Sequence, residues 1–239
     1  MSEMIDNIKN ILYHNNEGVQ HITKGRCSAA KKSFRAALVE LKDCEKRRQS
    51  IEQQQQEEPT CDTSSFPISI EAHSIPEFHD SQHYVFRNAV LVHLDLNNYS
   101  ETEYDTIFSQ VFAGLTAIVI FNLSLSSHYN ADRYHWNTAD LKQVIKFYTK
   151  AWEALHKDGS WLQTHHPVCR DMLLLAMLNN MGSLFFKLAK YPKATHCFKA
   201  LRNVFSSKSA GVQALNPDEH YGMMMNAMFI DQPGPACAA

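Results

Sequence analysis

Two stretches far apart in the chain carry the same residues in the same order. NNEGVQHITKGRCSAAKKSFRAAL begins at Asn15, and NNMGSLFFKLAKYPKATHCFKAL begins at Asn179. With Asn16 set against Asn180, Gly18 matches Gly182, Gly25 matches Ala189, Ala30 matches Ala194, Phe34 matches Phe198 and Ala36 matches Ala200. Small residues recur where two helices must approach, and a large ring recurs four residues after Ala30 and Ala194, on the same helical face. This ordering predicts a helical hairpin used more than once.

A third copy lies between the two. AIVIFNLSLSSH supplies Asn122 and Ser124 at the Asn and Gly places, and DLKQVIKFYTKAWEAL keeps the later spacing with Val144, Tyr148 and Ala151. This copy is longer in its middle: Asn122 to Val144 spans 22 residues where Asn16 to Ala30 spans 14, and the excess falls in the polar, aromatic stretch HYNADRYHWNTAD, read as a loop. Helices are expected over Asn15–Ile22, Ala30–Leu38, Val111–Leu125, Leu141–Leu155, Asp171–Leu188 and Ala194–Val204. Asn137 or Thr138 suits a helix cap with Asp140 in the first turn. Gly159 suits a helix C-terminus, and Pro167 and Pro192 suit helix first turns. Asn216, Pro217, Asp218 and Glu219 open a last helix, read as the cap of the stack.

These residues resemble the tetratricopeptide repeat (TPR), a helix-turn-helix unit of about 34 residues. The resemblance covers Leu12–Leu38, Ile118–Leu155 and Leu174–Val204. The chain departs from the family pattern where His21 and Ser127 stand in place of an aromatic, and its copies are not in tandem. The resemblance implies an all-α, TPR-like array of antiparallel helical hairpins whose concave groove is lined from the first helix of each pair. In that frame Leu12, Asn15, Val19 and Ile22, then Ile118, Phe121, Leu125 and His128, then Ala176, Asn179, Ser183 and Phe186 face the groove. The aligned Asn16, Asn122 and Asn180 point into it or bond a neighbouring helix. The family's carboxylate clamp for chaperone tails is not implied, because the matching basic places hold Asn15, Ala176 and Asn180.

Composition changes between the first and second copies. RRQSIEQQQQEEPTCDTSS has almost no large apolar residue after Ile51, so residues 51–65 are expected to be a glutamine-rich flexible linker. Residues 66–100 then form an extended insert. Phe66–Ile70 alternates and Tyr84–Leu94 is rich in Val, Leu and aromatics, so both read as strands of a small two-stranded ribbon leaning on the helices. The domain reading is therefore a first hairpin in 1–50, the linker, the insert, and the second and third hairpins with a capping helix in 101–239.

Other classes are disfavoured by what the chain lacks. Net charge is −2, which gives no basic excess for a nucleic-acid backbone. The start MSEMIDNIKNILYH lacks a secretory pattern, and six scattered cysteines form no CxxC, which reads as reduced thiols in the cytoplasm or nucleus. His165, His166 and Cys169 are interrupted by Pro167 and have no second cluster, so no metal or cofactor is expected. No phosphate loop, GxSxG or HExxH occurs. Residues 106–131 carry no charge, as a membrane span requires, but a buried central helix explains Asn122 and Ser124 better.

The functional expectation is a non-catalytic scaffold or adaptor that binds a protein partner, as a peptide or helix, in the groove. The contacts implied are Asn15, Val19, Ile22, Phe121, Asn122, Leu125, Asn179, Ser183 and Phe186. The rival classes are an enzyme or small-molecule binder in a closed helical core, and a protein anchored in a membrane through 106–131.

Overall fold

Glycine sets how closely the paired helices approach. In the computed structural model, which describes residues 3–52, 68–76, 83–94, 101–134, 137–157 and 160–228, α1 (Glu3–Thr23) packs antiparallel on α2 (Cys27–Glu52). A Cβ added to Gly18 would lie 2.4 Å from the Phe34 ring. Two strands follow, β1 (Ile68–Ser74) and β2 (Asn88–Leu94), then α3 (Glu101–Arg133) and α4 (Thr138–Lys157), which form a second pair. A short α5 (Ser160–His165) leads into α6 (Pro167–Lys187) and α7 (Tyr191–Ser206), the third pair. There a Cβ on Gly182 would lie 2.5 Å from the Phe198 ring, reproducing the first pair's contact. The short α8 (Ala210–Ala214) and α9 (Pro217–Met228) close the described chain. All six expected helices fall within these elements, except that α6 ends one residue short of Leu188.

The turns inside the first and third pairs are the same motif. Gly25 and Ala189 both adopt left-handed backbone, at φ 69° and 54°. Gly25 N–H donates to the Ile22 carbonyl and Arg26 N–H to that of His21, at 2.9 Å each. Ala189 N–H donates to Phe186 and Lys190 N–H to Phe185, at 2.9 and 2.8 Å. This is a Schellman ending, which satisfies carbonyls the helix leaves open. In the middle pair Tyr148 takes the place of Phe34 and Phe198, fully buried like them. Helix starts follow the sequence signals. Asp140 N–H donates to Asn137 Oδ1 at 2.8 Å, and prolines open α6 and α7. Asn216 and Glu219 bond reciprocally as a capping box, at 2.9 and 3.0 Å.

Three expectations need correction. The loop expected from His128 is helical to Arg133: α3 continues, and His128 and Asp132 face inward there and meet Tyr148 and Lys187. The strands are also displaced from the alternating stretches that suggested them. β1 runs Ile68–Ser74, and β2 begins only at Asn88, antiparallel, with Ile70 opposite Val92 and Ala72 opposite Val90. β1 continues through Glu71 and His73, which share one face with Ser69 and pair with Leu91 and Ala89 of β2. Of the linker expected at 51–65, Ile51 and Glu52 end α2, which continues the helix before the glutamine run, while residues 53–65, Phe66 and the Gly159 cap lie outside the described residues.

One core joins the helix pairs to the ribbon. It includes Ile22, Phe34, Phe86, Val90, Val92, Phe121, Tyr148 and Phe198. The stretch Val111–Arg133 of α3 is long and apolar enough to cross a membrane, with a mean hydropathy of 1.5, and 83% of that window is buried inside the protein.

Candidate functional site

The groove formed by α1, α3, α6 and α9 holds an extended segment of the chain itself, residues 84–92. Each of these four helices presents one asparagine whose carboxamide engages both main-chain groups of one residue. Asn226 accepts from Tyr84 N–H at 3.2 Å and donates to its carbonyl at 2.7 Å. Asn180 does the same to Phe86, at 2.8 and 3.0 Å. Asn122 engages Val90 at 2.8 and 2.7 Å, and Asn16 engages Val92 at 3.1 and 2.7 Å. A carboxamide offers one acceptor and two N–H donors, as a neighbouring strand's peptide offers one of each. The asparagines therefore stand in for a third strand. β2 has β1 along one edge and side-chain amides along the other.

The second asparagine of each Asn-Asn pair grips the main chain, and the first ties that grip to the next helix. Asn15 donates to Asn16 Oδ1 at 3.2 Å and to the Val90 carbonyl at 3.1 Å, while its own Oδ1 accepts from Asn122 Nδ2 at 2.9 Å. Asn179 donates to Asn180 Oδ1 at 3.0 Å and to the Tyr84 carbonyl at 2.9 Å, while its Oδ1 accepts from Asn226 Nδ2 at 2.7 Å. The same three-asparagine module thus occurs twice, once on Val90 and Val92 and once on Tyr84 and Phe86. Asn88 lies between the modules, and its side chain bonds the Glu219 carboxylate. Gly222 keeps α9 open to the Tyr84 ring, where a Cβ would lie 2.3 Å from ring carbon.

Of the residues expected to contact a partner, Asn15, Asn122 and Asn179 belong to this network. Val19, Ile22, Phe121 and Leu125 are buried core. The buried Ser183 hydroxyl donates to the Asn179 carbonyl at 3.0 Å within its own helix. Phe186 is half-buried, with its ring edge-to-face on His83 at 4.5 Å and on Tyr191 at 5.3 Å. Asn16 and Asn180 were flagged by the repeat alignment. Asn226 was not: it sits in a Met-rich helix with no second asparagine and no glycine two residues on.

Behind the asparagines lies a buried polar set. His128 Nδ1 is 3.4 Å from the Tyr148 hydroxyl, which also accepts from Asn180 Nδ2 at 3.0 Å. Burial, with Lys187 nearby, pushes the His128 imidazole down to about 3, so it is neutral. Lys187 is itself lowered by burial and opposed by Asp132, whose carboxylate lies 3.5 Å away. His83 is lowered chiefly by burial, with Lys187 adding to the lowering, against a hydrogen bond to Asn226 that favours the protonated ring. These groups are enclosed by core. Cys169 is free and its thiol is pushed up to about 12 by burial, the opposite of what a metal-binding thiolate needs. Among the described residues no group of three His, Cys, Asp or Glu side chains is placed to hold a metal ion.

No protein-family model, curated protein or solved structure matches the chain.

Proposed function

We propose that the protein is a non-catalytic interaction scaffold of TPR-like design. Its concave face is a receptor for an extended peptide, kept filled by residues 84–92 of its own chain until a partner's segment replaces them. The observation that carries this reading is the asparagine ladder. Its hydrogen bonds go to main-chain N–H and C=O groups of alternate residues, which every extended peptide possesses. A helical ligand has those groups paired internally and offers the ladder nothing, so the partner is an extended chain. Specificity then falls to the pockets under alternate side chains, filled here by the buried Phe86, Val90 and Val92.

The test is exchange in trans. A fluorescent synthetic peptide of residues Tyr84–Leu94 is titrated against the full chain and against a Val90→Pro variant, which loses the N–H that Asn122 accepts. The intact chain should exclude the peptide. The variant, shown to be folded by circular dichroism, should bind it at least tenfold more tightly, and Asn180→Ala in that background should abolish binding. A folded Val90→Pro variant that takes up no peptide would show that 84–92 is permanent core and that the groove receives nothing.

A further inference from the structure

We propose that two copies of the chain pair through the outer edge of β1, antiparallel across a two-fold axis, joining their ribbons into one four-stranded sheet. The polarity of the ribbon shows which groups are available. Val90 and Val92 spend their main-chain groups on asparagines, and Ile75 N–H donates to the Arg87 carbonyl at 2.9 Å. By the alternation of an antiparallel ladder, Ser69, Glu71 and His73 therefore bond β2, while Ile68, Ile70, Ala72 and Ser74 direct their N–H and C=O groups outward. His166 bonds the Ile68 backbone. No hydrogen bond among the described residues reaches the outward groups of Ile70, Ala72 or Ser74, and Ala72 and Ser74 are exposed.

Edges of this kind are normally blunted by lysine, proline, a bulge or a covering element. Residues 68–75 contain no lysine, proline or glycine, and prolines stand only at either end, Pro67 and Pro76. Among the described residues the edge is thus short, defined and uncovered, which suits pairing with a partner of fixed length.

Charge selects both the partner and the register. Glu71 and His73 lie on the same face, 3.3 Å apart at their nearest polar atoms, and Glu71 also lies 3.7 Å from His93. With Ala72 opposite Ala72 of the second copy, Ile70, Ala72 and Ser74 are all paired, and Glu71 of each copy faces His73 of the other. Sliding the strands so that Glu71 centres the axis sets two carboxylates face to face and calls on Ile68, which His166 already holds. Centring on His73 sets two imidazoles together and uses only Ala72 and Ser74. A second copy supplies the complementary partner for each group, an imidazole for each carboxylate, and the pair is ionic where His73 is protonated.

The experiment is sedimentation velocity on the full chain over a concentration series, with thermal melts alongside. The wild-type mass should rise to twice 27.3 kDa as concentration increases. Ala72→Pro removes the outward N–H at the axis and leaves the β2 side intact, as edge positions allow. It should stay at one chain mass, with a melt unchanged from the wild type at low concentrations where the wild type is also single. Glu71→Lys should also stay single, and Glu71→Lys with His73→Glu should restore the doubled mass, because both variants lose the His93 contact and only the second recovers the cross-copy pair. A wild-type chain that remains single at every concentration overturns the proposal. So does an Ala72→Pro variant that doubles like the wild type, or a double swap that stays single while folded.

Discussion

Replacing Asn180 by alanine removes both hydrogen bonds to Phe86, one to the Tyr148 hydroxyl and the one it accepts from Asn179, which keeps the Tyr84 carbonyl. Phe86 is 1% exposed, so water does not reach its N–H and C=O without opening the groove. A buried polar group left unpaired costs about 1–3 kcal/mol. Two such groups give roughly 2–6 kcal/mol, and the Tyr148 hydroxyl, which keeps His128, adds little. The expected loss is therefore about 3–5 kcal/mol, a large part of the roughly 5–15 kcal/mol by which a domain is stable. The measurement is equilibrium urea unfolding, in which the midpoint should fall with the slope unchanged. Two controls separate the main-chain grip from simple loss of side-chain atoms. Ser183→Ala, buried on the same helix but bonded only to its own backbone, should cost under about 1 kcal/mol. Asn203→Ala, exposed on α7, should change stability by no more than about 0.5 kcal/mol. An Asn180→Ala variant no less stable than Asn203→Ala would refute the argument that the asparagine satisfies the segment's backbone.

Gly182→Ala should destabilise by at least about 1–3 kcal/mol through overpacking, because its Cβ would fall 2.5 Å from the Phe198 ring, and a thermal melt reads it directly. Ala189→Gly should act in the opposite direction: Ala189 holds φ 54°, as Gly25 holds 69°, so glycine relieves left-handed strain and should raise stability by about 0.5–1 kcal/mol in the same assay. Stability should also fall in acid. The unfolded His128 takes up a proton below about 6.5, the folded one only near 3, so its contribution is complete above 6.5 and is lost progressively as the pH drops toward 3. At pH 5 the loss from this residue is about 2 kcal/mol, and His128→Phe should flatten that part of a stability–pH profile.

The repeat made the helices legible because its signals are local and physical. A glycine opposite a ring and prolines at helix starts report short-range geometry, and Gly18, Pro167 and Gly182 stand where that reasoning put them, whereas Gly25 and Ala189, aligned only as small residues for close helix approach, are left-handed helix ends. The asparagine pairs were legible as unusual, and Asn16, Asn122 and Asn180 as equivalent. What they bond was not, because the occupant lies 76 residues from Asn16 and 94 before Asn180 in sequence. The ribbon ends were missed for a related reason. Tyr84–Arg87 has the composition of a strand and an extended backbone, but mostly asparagine side chains take its hydrogen bonds, so its pairing left no mark on the period of the sequence. His128 and Asp132 look like loop residues by type, and only their partners across the fold keep them helical. Asn226 had no repeat to announce it.

Amide hydrogen exchange in the intact chain tests the central claim most directly. If the asparagine ladder holds the segment, the amides of Phe86, Val90 and Val92, and that of Tyr84, should exchange slowly. Protection should be about a thousandfold or more over free peptide, which corresponds to an opening cost of about 4 kcal/mol. Asn180→Ala should accelerate Phe86 and Tyr84 more than Val90 and Val92, because the two asparagine modules hold the segment separately. Exchange of all four amides at the free-peptide rate in the intact chain, while the helices around them stay protected, would contradict the account.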